Sequence, residues 1–320
     1  MITAYVHANG AITPYPLEEG MPIPRGAIWL DLLSPTLEEK KAVDAALNIE
    51  LPSREEMAEI ELSSRVYQED HTVYLTATVL SRADSDRPEG TPITFVLTDH
   101  ALVTIRYAEP QPFRTFSLYL LKHPTAHTSG DAVLIGLLDT IVDRIADVLE
   151  RVQREVDSLS VTVFHHTKDS PDYKTCLRSI GQHQMLMSKA RDSLATLARI
   201  ISFLSRPGEV KQNKTMAGSL KTLAQDVTSL SDHSTYISNN IAFLLNATLG
   251  FINSEQNAII KIFSVAAVVL LPPTLIASIY GMNFRFMPEL DWALGYPFAL
   301  LLMVASGLAS YWYFKRKRWL

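Results

Sequence analysis

Two stretches, Ile262–Tyr280 and Tyr296–Phe314, each run for 19 residues without a charged side chain. A helix needs about 20 residues to cross a hydrocarbon core about 30 Å thick, so both runs are predicted to span a membrane. Core helices of a soluble protein fit poorly, because the basic run Lys315-Arg316-Lys317-Arg318 follows the second stretch directly. Basic clusters stay on the cytoplasmic side of a bilayer. The loop 281–295 between the spans carries only Arg285, Glu289 and Asp291 as charges. Both termini are therefore expected in the cytoplasm and the loop outside.

The hydrophobic content of 47% is ordinary for a globular chain and hides these spans. The formal charge of −5 combines an acidic body of −9 with the +4 tail 315–320. An acidic body argues against nucleic acid, which calls for a clustered basic surface. Anionic membrane lipid is the expected partner of the tail. The single cysteine, Cys176, excludes an intrachain disulfide and reads as a small packed side chain. The N-terminus lacks the basic and apolar pattern of a signal peptide, so the first 250 or so residues are expected to stay in the cytoplasm.

From Ile2 to Tyr107, β-rich runs alternate with turn signals: Ile2–His7, Ala27–Leu32, Thr72–Ser81, Pro92–Thr98 and Ala101–Tyr107. Thr36–Leu47 and Ser53–Leu62 have helical spacing, and each opens on Ser or Thr with Glu three residues on, a capping box. An α/β domain over 1–125 is expected. Beyond Phe113, Leu134, Leu138, Ile141, Ile145, Val148, Val152, Val156 and Leu159 form one apolar stripe along a long helix, with Asp139, Asp143 and Asp147 on a solvated face. Ser170-Pro171 predicts a hairpin turn, and Pro207-Gly208 stops the returning helix. Leu220, Leu223, Val227, Leu230, Ile237, Ile241, Leu244 and Phe251 then recur at three and four, in a helix from Lys214 to Tyr280 of roughly 100 Å. A near-3.5 period predicts association along this seam, and hence an oligomer. The hairpin and stalk occupy 126–258, and the membrane part 259–320.

The first span holds Pro272-Pro273 in its middle, which removes two backbone donors and is costly unless water or neighbours serve the freed carbonyls. Water in a pore would supply them. Asn257, Ser264, Ala267, Leu271, Thr274, Ser278 and Gly281 fall on one stripe, small or polar except for Leu271; helix packing alone also explains such a stripe. The second span has none and reads as an outer helix.

At the mouth of the first span stands Tyr280-Gly281-Met282-Asn283-Phe284, followed by Phe286-Met287-Pro288-Glu289-Leu290. Together with Gly250-Phe251-Ile252-Asn253, Leu271-Pro272-Pro273-Thr274-Leu275 and the Tyr313-Phe314-Lys315-Arg316-Lys317 ending, this loop resembles the CorA family of magnesium transporters. The resemblance is strong from about Leu249 to Leu320 and before that extends to order and size of domains. It implies a homopentameric funnel in a bacterial inner membrane, an α/β domain and long-helix stalk above two C-terminal transmembrane helices, passing Mg²⁺ inward without ATP. Gly281, Met282 and Asn283 would form the selectivity filter. Mg²⁺ dehydrates reluctantly, and a ring of Asn283 amide oxygens accepts hydrogen bonds from its water shell. Thr274 and Asn257 would be polar resting points, and Leu271, Phe263 and Ile260 apolar constrictions that block by dewetting. Arg285 stands where the family pattern has an acid, leaving Glu289 and Asp291 to attract cations.

The resemblance also implies inhibitory Mg²⁺ between cytoplasmic domains of neighbouring subunits, with Asp84, Asp86 and Asp226 as candidate ligands. His165-His166 has no partner at ligand spacing. No glycine-rich phosphate loop, HExxH or activated nucleophile is present, so no enzyme is expected. Two rivals stand beside a Mg²⁺ channel: a carrier of Zn²⁺, Co²⁺ or Ni²⁺, possibly proton-coupled, and a membrane-anchored sensor.

Overall fold

The computed structural model describes residues 1–8, 10–18, 20–59, 61–164, 172–206, 214–283, 285, 287–288, 291–317 and 319. Seven strands are described: β1 (Ile2–Ala8), β2 (Ala11–Leu17), β3 (Ala27–Leu33), β4 (Val66–Glu69), β5 (Thr72–Ser81), β6 (Glu89–Leu97) and β7 (Leu102–Arg106). The helices are α1 (Leu37–Leu47), α2 (Arg54–Met57), α3 (Leu62–Arg65), α4 (Gln111–Lys122), α5 (Gly130–Phe164), α6 (Tyr173–Leu204), α7 (Lys214–Tyr280) and α8 (Gly295–Arg316). The Cα positions fall into two compact units, Met1–Leu245 and Asn246–Leu320.

In the first unit one sheet runs β2-β1-β3-β7-β6-β5-β4, and only the β3–β7 pair is parallel. Side chains alternate across it, so each strand feeds two cores. On one face Leu30, Leu32, Val103 and Ile105 pack with Val43 and Met57 of α1 and α2. On the other, Trp29, Leu75, Phe95 and Leu102 pack against α4, α5 and α6. Both predicted capping boxes form: Thr36 Oγ1 accepts from Glu39 N at 3.1 Å, and Ser53 Oγ from Glu56 N at 3.2 Å. Cys176 is buried at 4% exposure.

Three sequence expectations fail here for identifiable reasons. Prolines at 14 and 16 hid β2; it is an edge strand paired only with β1, where a missing donor costs no ladder bond. The helix expected over Ser53–Leu62 ends at Met57, its one buried residue, because the glutamates that follow offer no apolar face to pack. The third concerns the α7 seam. Leu220, Leu223, Val227, Ile237, Ile241 and Leu244 are each at most 2% exposed within the chain itself, joined to the α5–α6 core. That seam is consumed inside the unit and carries no argument for an oligomer. The turn at Ser170-Pro171, the stop at Pro207-Gly208 and the His165-His166 pair lie outside the described residues.

Gly130 opens α5 hard against the β6–β7 turn: a Cβ there would stand 2.6 Å from Leu102 N and 2.7 Å from Ala101 C, both backbone atoms. Backbone gives way poorly, so Gly130→Ala is expected to cost about 1–3 kcal/mol. Thermal unfolding of the full chain in detergent should show a midpoint several degrees lower; an unchanged midpoint would mean that α5 shifts freely.

Candidate functional site: the apolar helix pair, its loop and the acidic side chains of the first unit

In the second unit, α7 continues through Pro272 and Pro273 without breaking, and both α7 and α8 are long and apolar enough to cross a membrane. Proline removes the bonds that the carbonyls of Val268 and Val269 would have received. Gly307 of α8 lies over this point, with its Cβ position 3.6 Å from Pro273 Cγ and 3.7 Å from Val269 O, so the absence of a side chain lets α8 approach the proline turn. Val265 is buried and Val269, Pro272, Pro273 and Ile276 are half-buried, which marks the face of α7 that is covered within the unit.

The stripe singled out from the sequence lies elsewhere on the helix. Asn257, Ile260, Phe263, Ala267, Leu271, Thr274 and Ser278 are all exposed in the single chain, and Ser264 is half-buried. Phe263 at 71% and Leu271 at 63% are large apolar groups left without cover. Thr274 Oγ1 donates to Leu270 O at 2.7 Å, which leaves its lone pairs free to accept.

At the helix end Gly281 N donates to Ala277 O at 2.9 Å and Met282 N to Ile279 O at 3.2 Å. Gly281 does not use the left-handed region; the positive-φ glycines among the described residues are Gly10, Gly20 and Gly26. A Cβ on Gly281 would sit 3.1 Å from Ala277 O, close enough that this carbonyl would have to give by a few tenths of an ångström. Asn283 follows, exposed and past the last helical bond, as are Arg285 and Asp291. Glu289 lies outside the described residues.

The three candidate carboxylates of the first unit divide between two places. Asp84, in the turn after β5, is gripped by two guanidinium groups of α5: Arg144 Nη2 donates to Oδ2 at 2.6 Å, and Arg151 Nη1 to Oδ1. Burial pushes the Asp84 carboxyl up, but Arg151 and Arg144 outweigh it and hold the group below the ordinary range. Asp84 and Asp86 line a cleft of about 680 Å³ with Arg151, Arg154, Glu155 and His183. There His183 Nε2 lies 2.7 Å from Glu155 Oε2, linking α5 to α6. Sequence reasoning missed the two arginines, although seven residues apart on α5 they share a face.

Asp226 belongs to the second place. Partial burial, then Asp143, then Asp226 push the Asp139 carboxyl up, and burial, Asp147 and Asp226 do the same to Asp143. The row expected to be merely solvated is thus one acidic column with Asp226. Among the described residues no three metal-ligating side chains converge. A raised carboxylate pKa means that the folded chain binds the proton more tightly than the unfolded one, so ionisation costs stability above the folded pKa, and the cost disappears as pH falls below it. Asp139→Asn is therefore expected to raise the unfolding midpoint at pH 7.5 without divalent cations by about 1–2 °C, with no gain at pH 3.5. Equal effects at both pH values would rule out charge repulsion as the cause.

An α/β unit, a long helix with an apolar end, a Gly-Met-Asn turn and a second apolar helix make up the architecture of a two-span membrane protein. The chain belongs to the CorA family: the model described as the CorA-like Mg²⁺ transporter protein matches residues 24–316. It is 34% identical over 321 residues to the magnesium transport protein CorA of Escherichia coli (strain K12), covering 100% of both chains. The protein of that name in Yersinia pseudotuberculosis is 32% identical over 320 residues, again with 100% of both covered. Among solved structures, CorA of Methanocaldococcus jannaschii superposes with a TM-score of 0.78 at 18% identity, covering 100% of this chain and 99% of that one. The full-length CmaX protein gives 0.70 at 16%, covering 99% and 97%. These structural likenesses extend the fold assignment to the whole length of the chain, including the N-terminal domain that the sequence motifs left weakly matched.

Proposed function

We propose that the chain is a passive Mg²⁺ channel of the inner membrane, working as a homopentamer with both termini cytoplasmic. The observation that carries this is 34% identity over the full length of the E. coli magnesium transport protein together with a Gly281-Met282-Asn283 loop. Five copies of α7 would line the pore, turning the uncovered stripe from Asn257 to Ser278 inward, with Leu271, Phe263 and Ile260 as dewetting constrictions. A divalent ion gains about 4.6 kcal/mol from an inside-negative potential of ~100 mV, so inward flow needs no other energy source. In the division proposed, 1–125 and 126–258 stay in the cytoplasm and 259–320 forms the pore.

Closure by cytoplasmic Mg²⁺ fits the acidic column better than the turn after β5. Beyond burial, Asp143 and Asp226 push the Asp139 carboxyl up, as Asp147 and Asp226 do the Asp143 carboxyl, and a divalent ion bridging to a neighbouring subunit would relieve that repulsion. Asp84 already has two cationic partners, and a metal would have to displace them. Co²⁺ and Ni²⁺ share the ion's charge and would follow the same path. Proteoliposomes with an imposed inside-negative potential test the assignment. Mg²⁺ should enter at a rate that rises with the potential; Zn²⁺ entry that needs a pH gradient, with no Mg²⁺ flux, would replace this function with a zinc carrier.

A further inference from the structure

Between α5 and α6 one histidine meets an acceptor at each end of its ring. His183 of α6 holds Nδ1 2.7 Å from the carbonyl oxygen of Ser179, one turn back, and Nε2 2.7 Å from Oε2 of Glu155 on α5. A backbone carbonyl has no proton to give, so Nδ1 donates to it. A neutral imidazole then presents only a lone pair at Nε2, and the Glu155 carboxylate presents another. The 2.7 Å contact is therefore a hydrogen bond only while the pair holds one proton more than a neutral ring and an ionised carboxylate. The other tautomer does no better. With the hydrogen on Nε2, the Nδ1 lone pair faces the Ser179 carbonyl at 2.7 Å, and the Ser179 hydroxyl at 3.3 Å is its one donor. Loss of the proton thus sets lone pair against lone pair at one end of the ring or the other.

The other charged groups around the pair are engaged elsewhere. Asp84, Asp86, Arg151 and Arg154 line the same cleft of about 680 Å³. Asp84 is held by Arg144 and Arg151, and Arg154 Nη1 lies 3.8 Å from Glu150 Oε2. Among the described residues, Glu155 is the charged group within hydrogen-bond reach of the ring. The ring is half-buried and Glu155 exposed, so solvent reaches the proton through the cleft. Little apolar surface holds this part of the helix pair together. Beyond Glu155, α5 buries Val156 and Val163, and before His183, α6 buries Tyr173, Cys176 and Ile180. Segments with few buried apolar contacts open at low free-energy cost, so one polar tie counts for more here than in the sheet-facing core.

We propose that His183 and Glu155 form a proton-dependent tie that holds the far end of α5 to the start of α6 and releases it as pH rises. This stands independently of which ion the membrane helices pass. The sign follows from the geometry: the closed pair uses the proton and the open pair does not, so closure is favoured at low pH and lost when the proton leaves. Hydrogen exchange of the full chain in detergent, followed on peptides from 150–160 and 176–186, reads the opening directly. Measurements at about pH 6 and about pH 9 bracket the titration of an ordinary imidazole near 6.5. Glu155→Gln is the reference, because its amide N–H donates to a neutral Nε2 and keeps the tie without the extra proton. At the lower pH the wild type should exchange no faster than Glu155→Gln; at the higher pH it should exchange at least about threefold faster. His183→Gln, which has no titrating ring, should show no such change in its ratio to Glu155→Gln. A wild-type ratio to Glu155→Gln that stays constant between the two pH values overturns the proposal, as does a His183→Gln protein that loosens with pH as the wild type does. Glu155 is exposed, so the comparison with Glu155→Gln decides the matter even where His183→Gln does not fold.

Discussion

Asn283→Ala is expected to reduce Mg²⁺ uptake into proteoliposomes to background while leaving the unfolding midpoint and the oligomeric state unchanged. Asn283 is exposed beyond the last hydrogen bond of α7, so truncation removes no packing, and surface changes of this kind usually stay within about 0.5 kcal/mol. Its effect on transport is of another order. Mg²⁺ keeps its water shell, and the entry site must offer acceptors to those waters without holding the ion by charge. A ring of amide oxygens does so, whereas alanine offers none. Asn283→Asp restores acceptors but places a ring of negative charge at the mouth, and should bind divalent ions tightly and release them slowly. An Asn283→Ala protein that still conducts would move selection away from the loop, and a sensor tethered by inert helices would tolerate the change.

The parts of this chain that were legible from sequence are those fixed by local rules. Membrane spans follow from uncharged length, and α1 and α2 start where Thr36-Glu39 and Ser53-Glu56 make reciprocal caps. Partner choice at long range was not legible. A three-four repeat on α7 says that one face must be buried but not whether the cover is another subunit or the chain's own α5–α6 hairpin, and here it is the hairpin. The same ambiguity affected the acids. Asp84 looked free because Arg144 and Arg151 lie 60 and 67 residues away, and Asp139 looked solvated because nothing local brings Asp226 beside it. Gly281 shows a milder version: its presence was legible, whereas the close approach of the Ala277 carbonyl to it became visible only with coordinates.

Asp31→Ala is expected to cost about 3–5 kcal/mol, enough to unfold a large fraction of a chain whose total stability lies in the usual range of about 5–15 kcal/mol. Asp31 and Arg106 sit on β3 and β7, with side chains only 8% and 10% exposed. Arg106 Nη2 donates to Oδ2 at 2.7 Å and Nε to Oδ1 at 3.0 Å, while Nη1 reaches Ala108 O at 2.8 Å. Thr104 Oγ1 donates to Asp31 Oδ1 at 2.8 Å and accepts from Trp29 Nε1 at 2.9 Å, so the aspartate closes a network that also holds the Trp29 indole. Removing the carboxylate strands a guanidinium over the Phe113 ring with no counter-charge. Removing both charges is a different matter, because an apolar pair of similar volume pays no desolvation. Asp31→Leu with Arg106→Met should therefore recover much of the loss, and Thr104→Val alone should cost only about 1–2 kcal/mol. The parallel β3–β7 pair pairs Asp31 with Thr104 and Leu33 with Arg106, so the charges also mark its register. Unfolding midpoints of Asp31→Leu, Arg106→Met and the double variant in detergent measure the coupling, and single losses that simply add would show that the pair is not a unit.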